Sequence, residues 1–146
     1  MRILCVCHGN TCRSPMAEGV LRKRLPEATL DSAGTNVRNA GGPPDPRGIE
    51  AAASRGYDNS AQQSRQLCPS DFADFDLILA MDASNLSDLQ DACPAGAKCE
   101  IRLFDHEGKD IPDPFHKGPA DYEHALDMIE AAASALLVTL GKTHSV

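Results

Sequence analysis

Apolar positions along this chain follow two rhythms, short unbroken runs and longer stripes at helical spacing. Residues 2–6 (Arg-Ile-Leu-Cys-Val) and 76–81 (Asp-Leu-Ile-Leu-Ala-Met) are runs of the first kind and predict buried strands. Residues 28–32 and 99–104 predict two more. Stripes lie between them. Ala17, Val20, Leu21 and Leu25 share one helical face, which Pro26 ends. In front of it, Ser14-Pro15 reads as an N-cap followed by Pro at the first helical position. Residues 46–54 predict a second helix closed by Gly56, residues 71–75 a helical turn, and Asp82 the cap of a helix reaching residue 91. The strongest stripe comes last: Tyr122, Ala125, Leu126, Ile129, Ala133, Leu136, Leu137 and Leu140. Residues 34–46 and 105–119 are loops rich in Gly and Pro, and residues 57–69 are polar with no period that assigns them.

Strands alternating with helices predict an α/β fold. The expected architecture is one domain over residues 1–146, a mainly parallel four-stranded sheet with helices on both faces, doubly wound and flavodoxin-like. Ligands of such sheets bind beyond the carboxyl ends of the strands, so the loop after the first strand is the place to look for chemistry.

A formal charge of −7 with no basic stripe argues against a nucleic-acid partner. The same charge repels anions at long range, so any anion site has to be built locally. Residues 1–7 are too short an apolar run for a signal peptide, and no later stretch is long enough to span a bilayer. A cytoplasmic protein, not membrane-bound and monomeric, is expected. Its cysteines (Cys5, Cys7, Cys12, Cys68, Cys93 and Cys99) are then reduced thiols.

The loop after the first strand reads Cys7-His8-Gly9-Asn10-Thr11-Cys12-Arg13-Ser14-Pro15. A Cys and an Arg separated by five residues, between a strand and a helix, form a phosphate cradle with a nucleophile inside. Backbone N–H groups of the loop and the helix N-terminus converge on one point and favour an anion there. That field also favours the thiolate of Cys7. Arg13 offers a planar fork to two phosphate oxygens, a fit Lys does not have. Ser14 can donate its hydroxyl to the Cys7 sulfur and improve it as a leaving group. Gly9 and Asn10 supply backbone freedom for the loop's reversal. Cys5, inside the strand with no Arg at the right spacing, reads as core. His8 reads as a residue at the pocket mouth.

The string CxGNxCRSP in this context resembles the low-molecular-weight protein tyrosine phosphatase family. The likeness continues through Asp31-Ser32-Ala33-Gly34, Pro43-Pro44-Asp45 with Arg47-Gly48, Arg65-Gln66, Asp71-Phe72 and Met81-Asp82 with Ser84-Asn85-Leu86, and closes at Asp113-Pro114-Phe115. The resemblance implies a phosphatase acting on phosphotyrosine in proteins through a cysteinyl-phosphate, without metal or cofactor and inhibited by inorganic phosphate and other oxyanions. It implies Asp113 as general acid, Asn10 and Ser32 as supports of the cradle, and Phe115 as a wall for the substrate ring. It also suggests that Cys12 can trap oxidised Cys7 as a reversible disulfide. Two positions depart from the usual pattern: Arg38 stands in a loop that often carries an aromatic wall, and His116 replaces a second aromatic after Phe115.

Other readings compete. Thr11 and Phe115 resemble the branch of the family that hydrolyses phosphoarginine in proteins. A thiol-dependent arsenate reductase shares this loop, but Cys68, Cys93 and Cys99 do not form the compact relay it needs. A non-catalytic phosphoprotein-binding module has no use for Asp113. A zinc site on Cys5, Cys7, His8 and Cys12 lacks ligand spacing and a second pair. Asp113 by itself is an ordinary turn Asp before Pro.

Overall fold

The computed structural model describes residues 1–141. Its strands are β1 (Arg2–Cys7), β2 (Thr29–Gly34), β3 (Leu77–Ala80) and β4 (Glu100–Leu103). Its helices are α1 (Arg13–Arg24), α2 (Pro46–Ala53), α3 (Asp71–Asp74), α4 (Ala83–Ala92) and α5 (Pro119–Thr139). Every strand pair is parallel, in the order β2-β1-β3-β4.

Parallel strands covered on both faces read as continuous apolar runs. Accordingly β1 from Ile3 to Cys7 and all of β3 are buried. The two-residue pleat divides their side chains between two cores. Ile3, Cys5, Cys7, Leu77 and Leu79 pack with residues of α1, α2 and α5, whereas Leu4, Val6, Ile78 and Ala80 pack with Phe72, Phe75 and Leu89 on the other face. Helices therefore cover both faces. Removing one such side chain, as in Leu79→Ala, costs about 2–5 kcal/mol through lost burial and the cavity left behind.

Two expectations about α1 are corrected. The helix begins at Arg13 with Cys12 at its N-cap, so Ser14 does not cap it and Pro15 stands at the third helical position. Proline is tolerated there because the first-turn N–H groups lack helical partners anyway. The helix is also buried all round from Arg13 to Leu21 rather than along one stripe. Its outer face is covered by the unassigned segment 57–69, packed so closely that a Cβ at Gly19 would lie 1.9 Å from Asn59 Oδ1. Gln62 fastens that cover by donating from Nε2 to the Pro15 carbonyl at 3.1 Å.

Candidate active site

The chain direction in β1 delivers Cys7 to the carboxyl edge of the sheet, where the chain leaves β1 for β2 on one side and then leaves β2 for β3 on the other side of β1. That reversal is the place where parallel sheets leave room for a ligand. Residues 8–12 turn there before α1 starts. Carbonyls of the turn and its flanks are taken by donors away from the cradle: Cys7 O accepts from Thr35 N (3.0 Å), His8 O from Asn36 N (2.8 Å), Thr11 O from Asp45 N (2.9 Å) and Cys12 O from Met16 N (3.2 Å). Asn10 O accepts from the Ser64 hydroxyl at 2.7 Å. The N–H groups of Gly9, Asn10, Thr11 and Cys12 donate to no backbone acceptor among the described residues. Their dipoles are left for an anion.

The reversal itself rests on Asn10, whose φ is +56°, a conformation that Asn tolerates better than most residues. Gly9 has no such φ, so the expected backbone freedom resides in Asn10 alone. Gly34 is a glycine for another reason. A Cβ there would stand 2.6 Å from His8 O and 2.9 Å from Asn10 N, inside the turn's own backbone.

Behind the turn, side chains fix the sulfur's surroundings. The Asn10 amide donates from Nδ2 to Ser14 Oγ (2.8 Å) and to Ser32 Oγ (3.0 Å). Its oxygen accepts from Arg65 N at 2.9 Å, which settles which end of the amide points where. Ser14 Oγ, already an acceptor, lies 2.9 Å from Cys7 Sγ and 3.5 Å from the Ala33 carbonyl. Its own proton is thus free for the sulfur, the nearer partner. Freedom from the capping role makes this contact available.

The two neighbouring cysteines are held as neutral thiols. Burial pushes Cys5 well up, helped by the carboxylates of Glu18 and Asp31 and by Cys7. Burial likewise raises Cys12 to about 11, against hydrogen bonds with Tyr122 and Thr11 that act the other way. Cys12 Sγ lies 3.5 Å from the Tyr122 hydroxyl.

Arg13 is buried, and burial penalises its charge. The hydrogen bond to Asp82, with the negative surroundings of Cys7, Asp82 and Asp113, more than offsets that and raises its pKa further. Nη1 donates to Asp82 Oδ2 at 2.6 Å and to the Ile111 carbonyl at 3.0 Å, and Nη2 faces Asp113 Oδ2 at 3.8 Å. Asp113 is half exposed, between Pro112 and Pro114, and Oδ1 accepts the Phe115 N–H at 3.1 Å. Two prolines beside it restrict the backbone that presents the carboxylate.

Cys7, Arg13 and Asp113 open into one cavity of about 510 Å³, whose walls include His8, Thr11, Arg38 and Phe115. Gly9 and Cys12 also line it, whereas Asn10, Ser14 and Ser32 stand behind the turn. His116 is not among the lining residues. Its ring lies 3.9 Å from that of Phe115, which it flanks from a left-handed backbone of φ +64°. None of Cys68, Cys93 and Cys99 lines the cavity, and Cys99 precedes β4 at the opposite end of the sheet. Among the described residues no group of three or more His, Cys, Asp or Glu side chains is arranged to hold a metal ion.

Asp82, Ser64, Arg65 and Asp71 belong to this site without having been assigned a part in it. Asp82 orients Arg13, and Arg65 holds Asn10 through its backbone. Arg65 is itself fastened to Asp71 by two hydrogen bonds of 3.0 and 2.9 Å and to Asp31 by one of 3.0 Å. The resemblance at Arg65-Gln66, Asp71-Phe72 and Met81-Asp82 marks three of these positions without a contact, and Ser64 lies outside it.

Comparison with known proteins agrees with this geometry. The family described as low molecular weight phosphotyrosine protein phosphatase matches residues 2–146. A putative low molecular weight protein-tyrosine-phosphatase of Synechocystis is 40% identical over 154 residues, covering 97% of this chain and 98% of that protein. The low molecular weight phosphotyrosine protein phosphatase of Schizosaccharomyces pombe is 38% identical, with 81% and 83% covered. Among solved structures, Vibrio vulnificus Wzb in complex with benzylphosphonate superposes with a TM-score of 0.89 at 36% identity, covering 94% of this chain and 97% of that one. The chain belongs to the low molecular weight phosphotyrosine protein phosphatase family.

Proposed function

We propose that the protein hydrolyses phosphotyrosine in proteins, with Cys7 as nucleophile, Arg13 as phosphate clamp and Asp113 as general acid and then base. The observation that carries this reading is the Ser14 hydroxyl 2.9 Å from the Cys7 sulfur, in a cradle whose cavity also holds Arg13 and Asp113. The phosphoryl group sits over the sulfur, its oxygens taken by the turn's N–H groups and by Arg13. Cys7 attacks phosphorus as the thiolate, the bond to the tyrosine oxygen breaks, and protonated Asp113 gives that oxygen its proton. Such protonation contributes about 100- to 10,000-fold where the leaving group is poor. The Asp113 carboxylate then takes a proton from water, whose oxygen attacks the cysteinyl-phosphate. The sulfur leaves as thiolate, stabilised by the Ser14 proton, and phosphate departs.

Phe115 gives the substrate ring an apolar wall. The benzylphosphonate held by the Vibrio neighbour likewise joins one aromatic ring to one phosphorus oxyacid. Steady-state hydrolysis of aryl phosphates tests the reading. Cys7→Ser abolishes turnover while circular dichroism stays native, and Asp113→Asn harms substrates with poor leaving groups most. Equal loss for good and poor leaving groups removes Asp113 from the acid role. No phosphate release at any pH between about 5 and 8 favours a binding module instead. A panel of phosphotyrosine, phosphoarginine and phosphoserine peptides fixes the substrate class.

A further inference from the structure

The cavity changes character from floor to mouth. At the floor, Arg13 is buried and already neutralised by Asp82 and Asp113. At the mouth stands Arg38, exposed, on the loop between β2 and α2. Other arginines of the chain pair with carboxylates or, at Arg2, lie over the Phe75 ring. Arg38 has neither kind of partner among the described residues. Arg38 is thus an unpaired guanidinium beside the active cavity in a chain of net charge −7.

Its loop is not free to carry it elsewhere. Thr35 N and Asn36 N donate to the carbonyls of Cys7 and His8, and Gly41 N donates to the Ser64 carbonyl at 2.7 Å. Gln66 clasps the loop from both sides, accepting from Val37 N at 2.9 Å and donating to Thr35 O at 2.8 Å. Arg38 is thus rooted between segments that also build the phosphate turn. The phosphate has its own cation and N–H groups at the floor, so Arg38 is left for whatever lies just outside. Asp113 and the overall charge repel an acidic substrate, and Arg38 is the group at this opening that reverses that repulsion locally.

We propose that Arg38 is a specificity-determining residue, receiving the carboxylate of an Asp or Glu that flanks the phosphotyrosine, so that the preferred substrate is an acidic phosphotyrosine peptide. This rests on the phosphatase reading above. An exposed ion pair of this kind favours the acidic peptide by roughly 2- to 5-fold, and less as salt rises.

The test compares kcat/KM for phosphotyrosine peptides identical except for Asp, Ala or Lys at the positions on either side. The unmodified protein ranks them Asp, Ala, Lys at low salt. Arg38→Ala brings the ratio of Asp to Lys peptides toward one, and Arg38→Glu inverts it. Because each protein is compared with itself across peptides, a loss of folded protein cancels from the ratio. Indifference of the unmodified protein to the flanking residues, or the same ranking in all three proteins, overturns the proposal. A small aryl phosphate without a peptide is assayed alongside. If the unmodified protein hydrolyses neither it nor the peptides, the phosphatase reading itself fails and takes this proposal with it.

Discussion

Asp82 holds Arg13 and caps α4 at the same time: Oδ2 accepts from the guanidinium at 2.6 Å, and Oδ1 accepts from Asn85 N at 2.8 Å. One carboxylate therefore fixes the proposed phosphate clamp to the start of a helix on the other side of the sheet. The clamp's direction is set by the fold rather than by the substrate.

Asp82→Ala removes both bonds. Hydrogen bonds to charged groups contribute about 1.5–3 kcal/mol, so kcat/KM toward aryl phosphates falls roughly 10- to 100-fold. Loss of the cap lowers stability by about 1 kcal/mol. Asp82→Asn keeps a capping oxygen and separates the effects, with native-like thermal stability but weakened inhibition by vanadate. Unchanged vanadate inhibition in Asp82→Asn would show that Arg13 needs no carboxylate to hold it.

Ser14→Ala removes the proton directed at Cys7 while leaving the helix start intact, since Ser14 makes no capping bond. The sulfur becomes a poorer leaving group, so hydrolysis of the cysteinyl-phosphate slows by roughly 10- to 100-fold. Rapid mixing with an aryl phosphate then gives a larger burst of phenol followed by a slower steady state. A slower steady state with no enlarged burst assigns Ser14 to the first step instead.

The Asp71 carboxyl titrates below its ordinary value. Burial works against this, but two hydrogen bonds from Arg65 and one from Cys68 N prevail. The folded pKa is below the unfolded one, so the stability Asp71 contributes is complete above the unfolded value of about 3.9 and disappears as pH falls through the folded value. Asp71→Asn therefore lowers the melting temperature at neutral pH, and the gap to the unmodified protein closes in acid below that window. A gap that stays constant down to that range contradicts the linkage. Because Arg65 N also holds Asn10, activity of this variant falls with its stability.

How far the site could be read from sequence follows from how its contacts are distributed along the chain. Cys7, Arg13 and Ser14 sit within one turn, and a nucleophile, a guanidinium and a helix start at that spacing have a chemical meaning without any structure. Asp113 lies far away and acquired its meaning only through resemblance. Asp82, Ser64 and Arg65 act through single hydrogen bonds to Arg13 and Asn10 across long stretches of chain, and no local pattern encodes such a bond. Segment 57–69 stayed unassigned because bonds to α1 and to the turn hold it, with no periodic apolar stripe. Ser14 was misplaced for a different reason. Ser-Pro is a common helix opening, but the turn enters the helix two residues earlier, leaving the hydroxyl to the sulfur. The strands were legible because a parallel sheet covered on both faces has to be apolar throughout.

In the proposed mechanism a phosphoryl group passes through the Cys7 sulfur. Acid quenching of the Asp113→Ala variant during turnover of an aryl phosphate with a good leaving group, followed by peptide mass mapping, tests it most directly. That variant still forms the intermediate but lacks the base that hydrolyses it. The expected result is a phosphate on the peptide containing Cys7, absent from the double variant with Cys7→Ser. Phenol release without any phosphorylated Cys7, or with phosphate on another residue, would contradict it.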